Sequence, residues 1–98
     1  MTIQETINGK NLELKVAGRL DTTTAPDLDK KINDLIYDVE KLTFDFSDLI
    51  YISSAGLRVL LSAQKKMSRQ GEMVIRGVSA DIMEIFEVTG FSDILTIE

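Results

Sequence analysis

The sequence predicts a single α/β domain over residues 1–98, ordered β-β-α-β-α-β-α-β, with a mostly parallel mixed sheet and an antiparallel hairpin at its edge. Three observations predict it. Asn8-Gly9 divides two strand-like runs, the signal of a hairpin. Downstream, short apolar runs alternate with segments whose apolar residues recur at helical spacing. The 98 residues are 44% apolar and 28% charged with one Pro, which suits one core rather than two domains or a disordered chain.

Taken in order, Thr2–Ile7 is the first strand, and Leu12-Glu13-Leu14-Lys15-Val16 alternates as a half-buried strand does. Gly18–Thr24 reads as a polar loop leaving it. Thr24 or a neighbour can cap the first helix, with Pro26 in its first turn and Asp27 and Asp29 near its positive end. Leu28, Ile32, Leu35 and Ile36 fall on one helical stripe, a core face rather than a docking surface. Leu42, Phe44 and Phe46 mark the third strand. Ser47–Ser54 is then a second loop, and the helix after it ends near Ser68-Arg69-Gln70-Gly71, with Lys65, Lys66 and Arg69 beside its negative end. Met73–Arg76 is a buried strand. Ser79 or Asp81 starts a third helix that turns Ile82, Ile85, Phe86 and Thr89 to one side and stops at Gly90. Leu95-Thr96-Ile97 is the last strand.

Composition removes whole classes of function. Without Cys or His, the chain has no disulfide, thiolate metal site, Cys nucleophile or Ser–His pair, and zinc is disfavoured. No cofactor loop is visible, and an enzyme with its own turnover lacks a base–nucleophile pair. A net charge of −5 argues against nucleic acid and suits a partner with a basic docking surface. No apolar run reaches membrane-spanning length and the first residues are no signal segment, so the expectation is a cytoplasmic protein without direct membrane insertion.

One stretch carries the functional signal. Between the third strand and the second helix stand Ser53 and Ser54, then Ala55 and Gly56. One serine can cap the helix by accepting a backbone N–H, and small residues keep the first turn open. The hydroxyl then stands at the positive helix end, where an added phosphate is tolerated. A nucleophile elbow is a weaker reading still, because only Gly56 of its two glycines is present and the chain has no His as base. Sites in such sheets gather beyond the carboxyl ends of the strands. The two loops therefore bring Asp21, Thr22, Asp48, Ser53 and Ser54 together. Asp21 with Asp48 would suit a metal-assisted phospho-Asp site, but the acidic pair and late Lys of receiver domains are missing. The simplest role for Asp21 is turn chemistry. Periodicity leaves open whether Ile50, Tyr51, Ile52 and Leu57 form docking surface or core.

Three separated pieces resemble the STAS domain, and within it the bacterial anti-sigma factor antagonists: Gly18–Ala25, Phe44–Leu57 and Ile85–Phe91. The resemblance implies a partner switch. The unphosphorylated protein would bind an anti-sigma factor that is itself a Ser/Thr protein kinase, releasing a sigma factor. Phosphorylation by the kinase would end binding, and a PP2C-type phosphatase would restore it. Aligning on Gly56-Leu57 puts the acceptor at Ser54, with Ser53 the second candidate, and Asp21 on the family's loop Asp. Asp21, Thr22, Asp48, Ser53, Ala55, Gly56 and Leu57 would be the partner-binding residues. Where spore-former relatives carry Asp before the acceptor and Ser or Thr after it, this chain has Ser53 and Ala55. The competing function is a non-phosphorylated STAS subunit of a stress-signalling scaffold or a membrane-lipid transport complex.

Overall fold

A computed structural model describes residues 1–98. Strand β1 (Thr2–Asn8) pairs antiparallel with β2 (Asn11–Leu20), from Thr2 opposite Ala17 to Asn8 opposite Asn11. The connection is Gly9-Lys10, one residue later than the Asn8-Gly9 signal. Gly9 takes a φ of 61° at the first central position, where a tight hairpin favours glycine.

Helix α1 (Ala25–Leu35) is followed by a 3-10 turn (Ile36–Asp38), then β3 (Lys41–Asp45) and β4 (Leu49–Ile52). Helix α2 (Ser54–Met67), β5 (Glu72–Arg76), α3 (Ala80–Thr89) and a second 3-10 turn (Phe91–Asp93) complete the chain. The sheet runs β1-β2-β3-β5, with every pairing after the hairpin parallel. The mixed sheet with an antiparallel edge is as expected. The final strand shrinks to one bridge, Ile97 beside Ile75, where Ile75 N–H donates to Thr96 O at 2.9 Å.

The larger departure is β4, which the sequence reading placed inside a loop. Strand β2 is long enough to pair twice on one side. Its first half takes β3, and its second half takes β4, from Gly18 opposite Leu49 to Leu20 opposite Ile52. Arg19 faces Tyr51, so Ile50 is an extra residue: a β-bulge. The bulge changes which face follows. Leu49 and Ile52 are both buried while Ile50 and Tyr51 between them are exposed, a pattern that mimics neither strand nor helix periodicity.

On the other strands the alternation is regular. Leu12, Leu14 and Val16 of β2 and Leu42 and Phe44 of β3 face the helices, joined by Phe46 beyond β3. The rings of Phe44 and Phe46 pack at 5.5 Å between centroids, tilted by 45°. Leu28 and Ile32 of α1, Leu60, Ala63 and Met67 of α2, and Ile82 and Phe86 of α3 complete one core. Ile85 is only half-buried and Thr89 is exposed, so the apolar side of α3 is narrower than expected. The opposite sheet face is polar. Glu13, Lys15, Thr43 and Asp45 lie there half-buried, crossed by a Glu13–Arg76 ion pair.

Candidate functional site

The site begins where β2 and β4 end side by side. Leu20 and Ile52 are register partners, and Ser53 N–H donates to Leu20 O at 2.9 Å. The next residues, Asp21 and Ser53, therefore leave the sheet together. Leu20 and Ile52 are themselves buried, so the core fixes this juxtaposition.

Ser53 and Ser54 have different roles. Ser53 has extended backbone and is the N-cap of α2, its side-chain oxygen accepting from Gly56 N–H at 3.4 Å. Ser54 is the first helical residue and is exposed, with its hydroxyl free of capping duty. Gly56 explains the open first turn in tertiary terms. A Cβ on it would lie 2.8 Å from both Ile52 Cγ1 and Leu20 Cγ, so the helix start is pressed onto the two strand ends. Gly56→Ala should destabilise the protein by about 1 kcal/mol, because overpacking outweighs the gain in helix propensity. Thermal unfolding checks this, and a raised midpoint would contradict it.

Asp21 organises the loop before α1. Its Oδ1 accepts from Thr23 Oγ1 at 2.8 Å, Thr23 N–H at 3.0 Å and Thr24 N–H at 3.1 Å. Asp21 N–H donates to Thr24 Oγ1 at 2.8 Å, and Thr24 Oγ1 donates to Arg19 O at 2.9 Å. Thr24 precedes α1 as expected, but its hydroxyl serves this loop and caps no helical N–H. The Thr23 hydroxyl above all, helped by the N–H groups of Thr24 and Thr23, holds the Asp21 carboxyl below the ordinary aspartate range. A depressed folded-state value contributes stability above the unfolded value, and that contribution disappears as pH falls through the folded one. Stability of Asp21→Asn should therefore fall less steeply than wild type on acidification below about pH 4. Parallel chemical-denaturation curves across that range would expose an error if the slopes coincide.

Arg19 lies between Asp21 and Tyr51. Its guanidinium sits 4.2 Å from the centroid of the Tyr51 ring, and its Nε is 3.9 Å from Asp21 Oδ2. Sequence reasoning missed this residue, because the Tyr51 contact exists only once β4 pairs with β2. Beside the serines, Thr22, Ala25, Asp29, Ala55, Arg58 and Ser62 help line an open groove of about 480 Å³ between α1 and α2.

The expected cluster is thus assembled in part. Asp21, Thr22, Ser53, Ser54 and Ala55 share one end of the sheet. Asp48 does not join them: it precedes β4 while Ser53 follows it, so the length of a strand separates the two, and Asp48 pairs with Lys15 at 3.2 Å. That separation also removes the Asp21–Asp48 metal arrangement, and no group of three potential ligands gathers elsewhere. Gly56 and Leu57 are buried and shape the turn from below, so they offer a partner no surface. Of the four apolar residues left open by periodicity, Ile52 and Leu57 are core, while Ile50 and Tyr51 are exposed. No helix is long and apolar enough to cross a membrane.

Comparison with known proteins supplies the context for this geometry. The family model described as STAS domain matches residues 2–98. The anti-sigma-B factor antagonist of Listeria monocytogenes is 35% identical over 92 residues, covering 90% of this chain and 79% of that protein. A putative anti-sigma factor antagonist from Thermotoga maritima has the same fold, with a TM-score of 0.89 at 19% identity over 97% of this chain and 84% of its own. The Bacillus cell fate determinant SpoIIAA, solved in its phosphorylated form, superposes with a TM-score of 0.77 at 17% identity, covering 99% of this chain and 91% of that one.

Proposed function

The chain belongs to the STAS domain family and, within it, to the anti-sigma factor antagonists, and we propose on that premise that its unphosphorylated form binds an anti-sigma factor and so frees a sigma factor. The anti-sigma factor is itself a Ser/Thr protein kinase. It phosphorylates Ser54 and dissociates, and a PP2C-type phosphatase returns the protein to its binding form. The observation that carries this reading is the division of labour between the adjacent serines. Ser53 is engaged as the helix cap, while Ser54 presents an exposed hydroxyl at the positive end of α2. SpoIIAA, which shares the fold, occurs in phosphorylated and unphosphorylated forms.

The surface a partner would cover is formed by Asp21, Thr22, Ser53, Ser54 and Ala55, backed by the buried Gly56 and Leu57. The switch needs no rearrangement. A phosphate brings about −1.5 to −2 charges at neutral pH. At a free helix N-terminus that charge is tolerated, whereas under a closed interface it must be desolvated or meet like charge. The fold survives and the complex does not.

The test is to isolate the protein from its native host across growth and stress conditions and localise phosphate by mass spectrometry. Partial phosphorylation at Ser54 is the expected result. Phosphate at Ser53 would move the acceptor by one residue. Its absence under every condition would overturn the switch in favour of a scaffold or lipid-transport subunit that binds without phosphate turnover.

A further inference from the structure

The first charged residue of α2 is Arg58, four residues after Ser54 and therefore on the same helical face. It is exposed, and it takes part in none of the eight ion pairs of the chain. A cation four residues C-terminal to an anion is the favourable orientation on a helix. We propose that Arg58 is the positioning residue for phosphate on Ser54: its guanidinium swings back along α2 and holds the phosphate by charge-assisted hydrogen bonds.

The proposal rests on the reading of Ser54 as the acceptor. It adds a reason why that hydroxyl, rather than its neighbour, suits the modification. From Ser53 the same arginine is five residues away and off the helical face, and a phosphate there would also disturb the cap to Gly56 N–H. Other charges face the spot. Asp29 of α1 lines the groove that Arg58 also lines, and Asp21, with Arg19 against it, leaves the sheet beside Ser53. Arg19 is already shared between Asp21 and the Tyr51 ring, and the two carboxylates repel a phosphate. Arg58 is the cation left free to answer it. Phosphorylation would then engage an arginine that is exposed and unpaired in the unmodified protein.

The experiment needs no partner. Phosphoserine is incorporated at position 54 of the full chain, and its titration is followed by 31P NMR at low salt. The second ionisation of phosphoserine has an ordinary value near pH 6, and a paired guanidinium lowers it. Arg58→Gln should raise the midpoint by roughly half a pH unit, and Arg58→Lys should restore part of the difference. With phosphoserine at position 53, Arg58→Gln should leave the midpoint where it was. Because Arg58 is exposed, these variants fold, which circular dichroism verifies. Equal midpoints in wild type and Arg58→Gln would overturn the proposal, and so would equal shifts for both serine positions, which would indicate a diffuse field. The titration is read on the free protein. A phosphorylated chain that still bound the anti-sigma factor would defeat the switch without touching this result.

Discussion

Ser54→Asp should weaken binding to the anti-sigma factor by about a hundredfold or more, while Ser54→Ala binds constitutively and resists phosphorylation. The magnitude follows from desolvation. An uncompensated charge enclosed in an interface costs roughly 3–5 kcal/mol, and each 1.4 kcal/mol is about tenfold in affinity. Both substitutions should preserve stability, since Ser54 is exposed and the cap belongs to Ser53. Aspartate even adds a favourable charge to the first turn of α2. Calorimetric titration of both variants against the purified anti-sigma factor, with thermal unfolding in parallel, makes the comparison. Wild-type affinity in Ser54→Asp would remove the switch from this residue. A lost complex accompanied by a lost fold would remove the interface explanation instead.

Gly71→Ala should be the more damaging change to the fold, although the residue is exposed. A Cβ at position 71 would lie 1.8 Å from Glu40 O and 2.6 Å from the Glu40 carbonyl carbon. The obstacle is backbone, not a flexible side chain. The same carbonyl accepts from Glu72 N–H at 2.9 Å, the contact that starts β5 alongside β3. Relief would require separating the two strands at their entry, where Lys41 faces Glu72 and Leu42 faces Met73. The expected loss is about 3 kcal/mol, at the upper end for overpacking and roughly 12–24 °C in Tm for a chain of this size. A melting temperature within a few degrees of wild type would show that β3 and β5 shift more easily than their backbone contact suggests. The sequence reading took Gly71 only as a marker near the end of α2, and the structure gives it a different reason.

Much of the fold was decided by interactions within a few residues, and that part could be read from the sequence. Ser53 and Ser79 cap their helices through N–H groups three residues on, and Gly90 adopts a left-handed φ of 82° to end α3. The stripe of α1 and the alternation of β2 and β3 depend on spacing alone, so their buried faces were legible too. Local chemistry pointed to Ser53 and Ser54 together, and the choice of Ser54 as acceptor came from the family resemblance.

What the sequence left open concerns residues far apart in the chain. Strand β4 exists because β2 is long enough to pair twice, and its bulge at Ile50 hides it from any test of alternation. The same pairing carries Asp48 to the other end of β4, away from Asp21 and Ser53, and sets Arg19 over Tyr51. Gly56 against Leu20 and Gly71 against Glu40 are close approaches across more than thirty residues of chain. Sequence narrowed the helix start to Ser53 or Ser54, because capping is local chemistry, and the structure made Ser53 the cap. Only the tertiary structure decided what stands next to it, because that depends on which strand ends lie side by side.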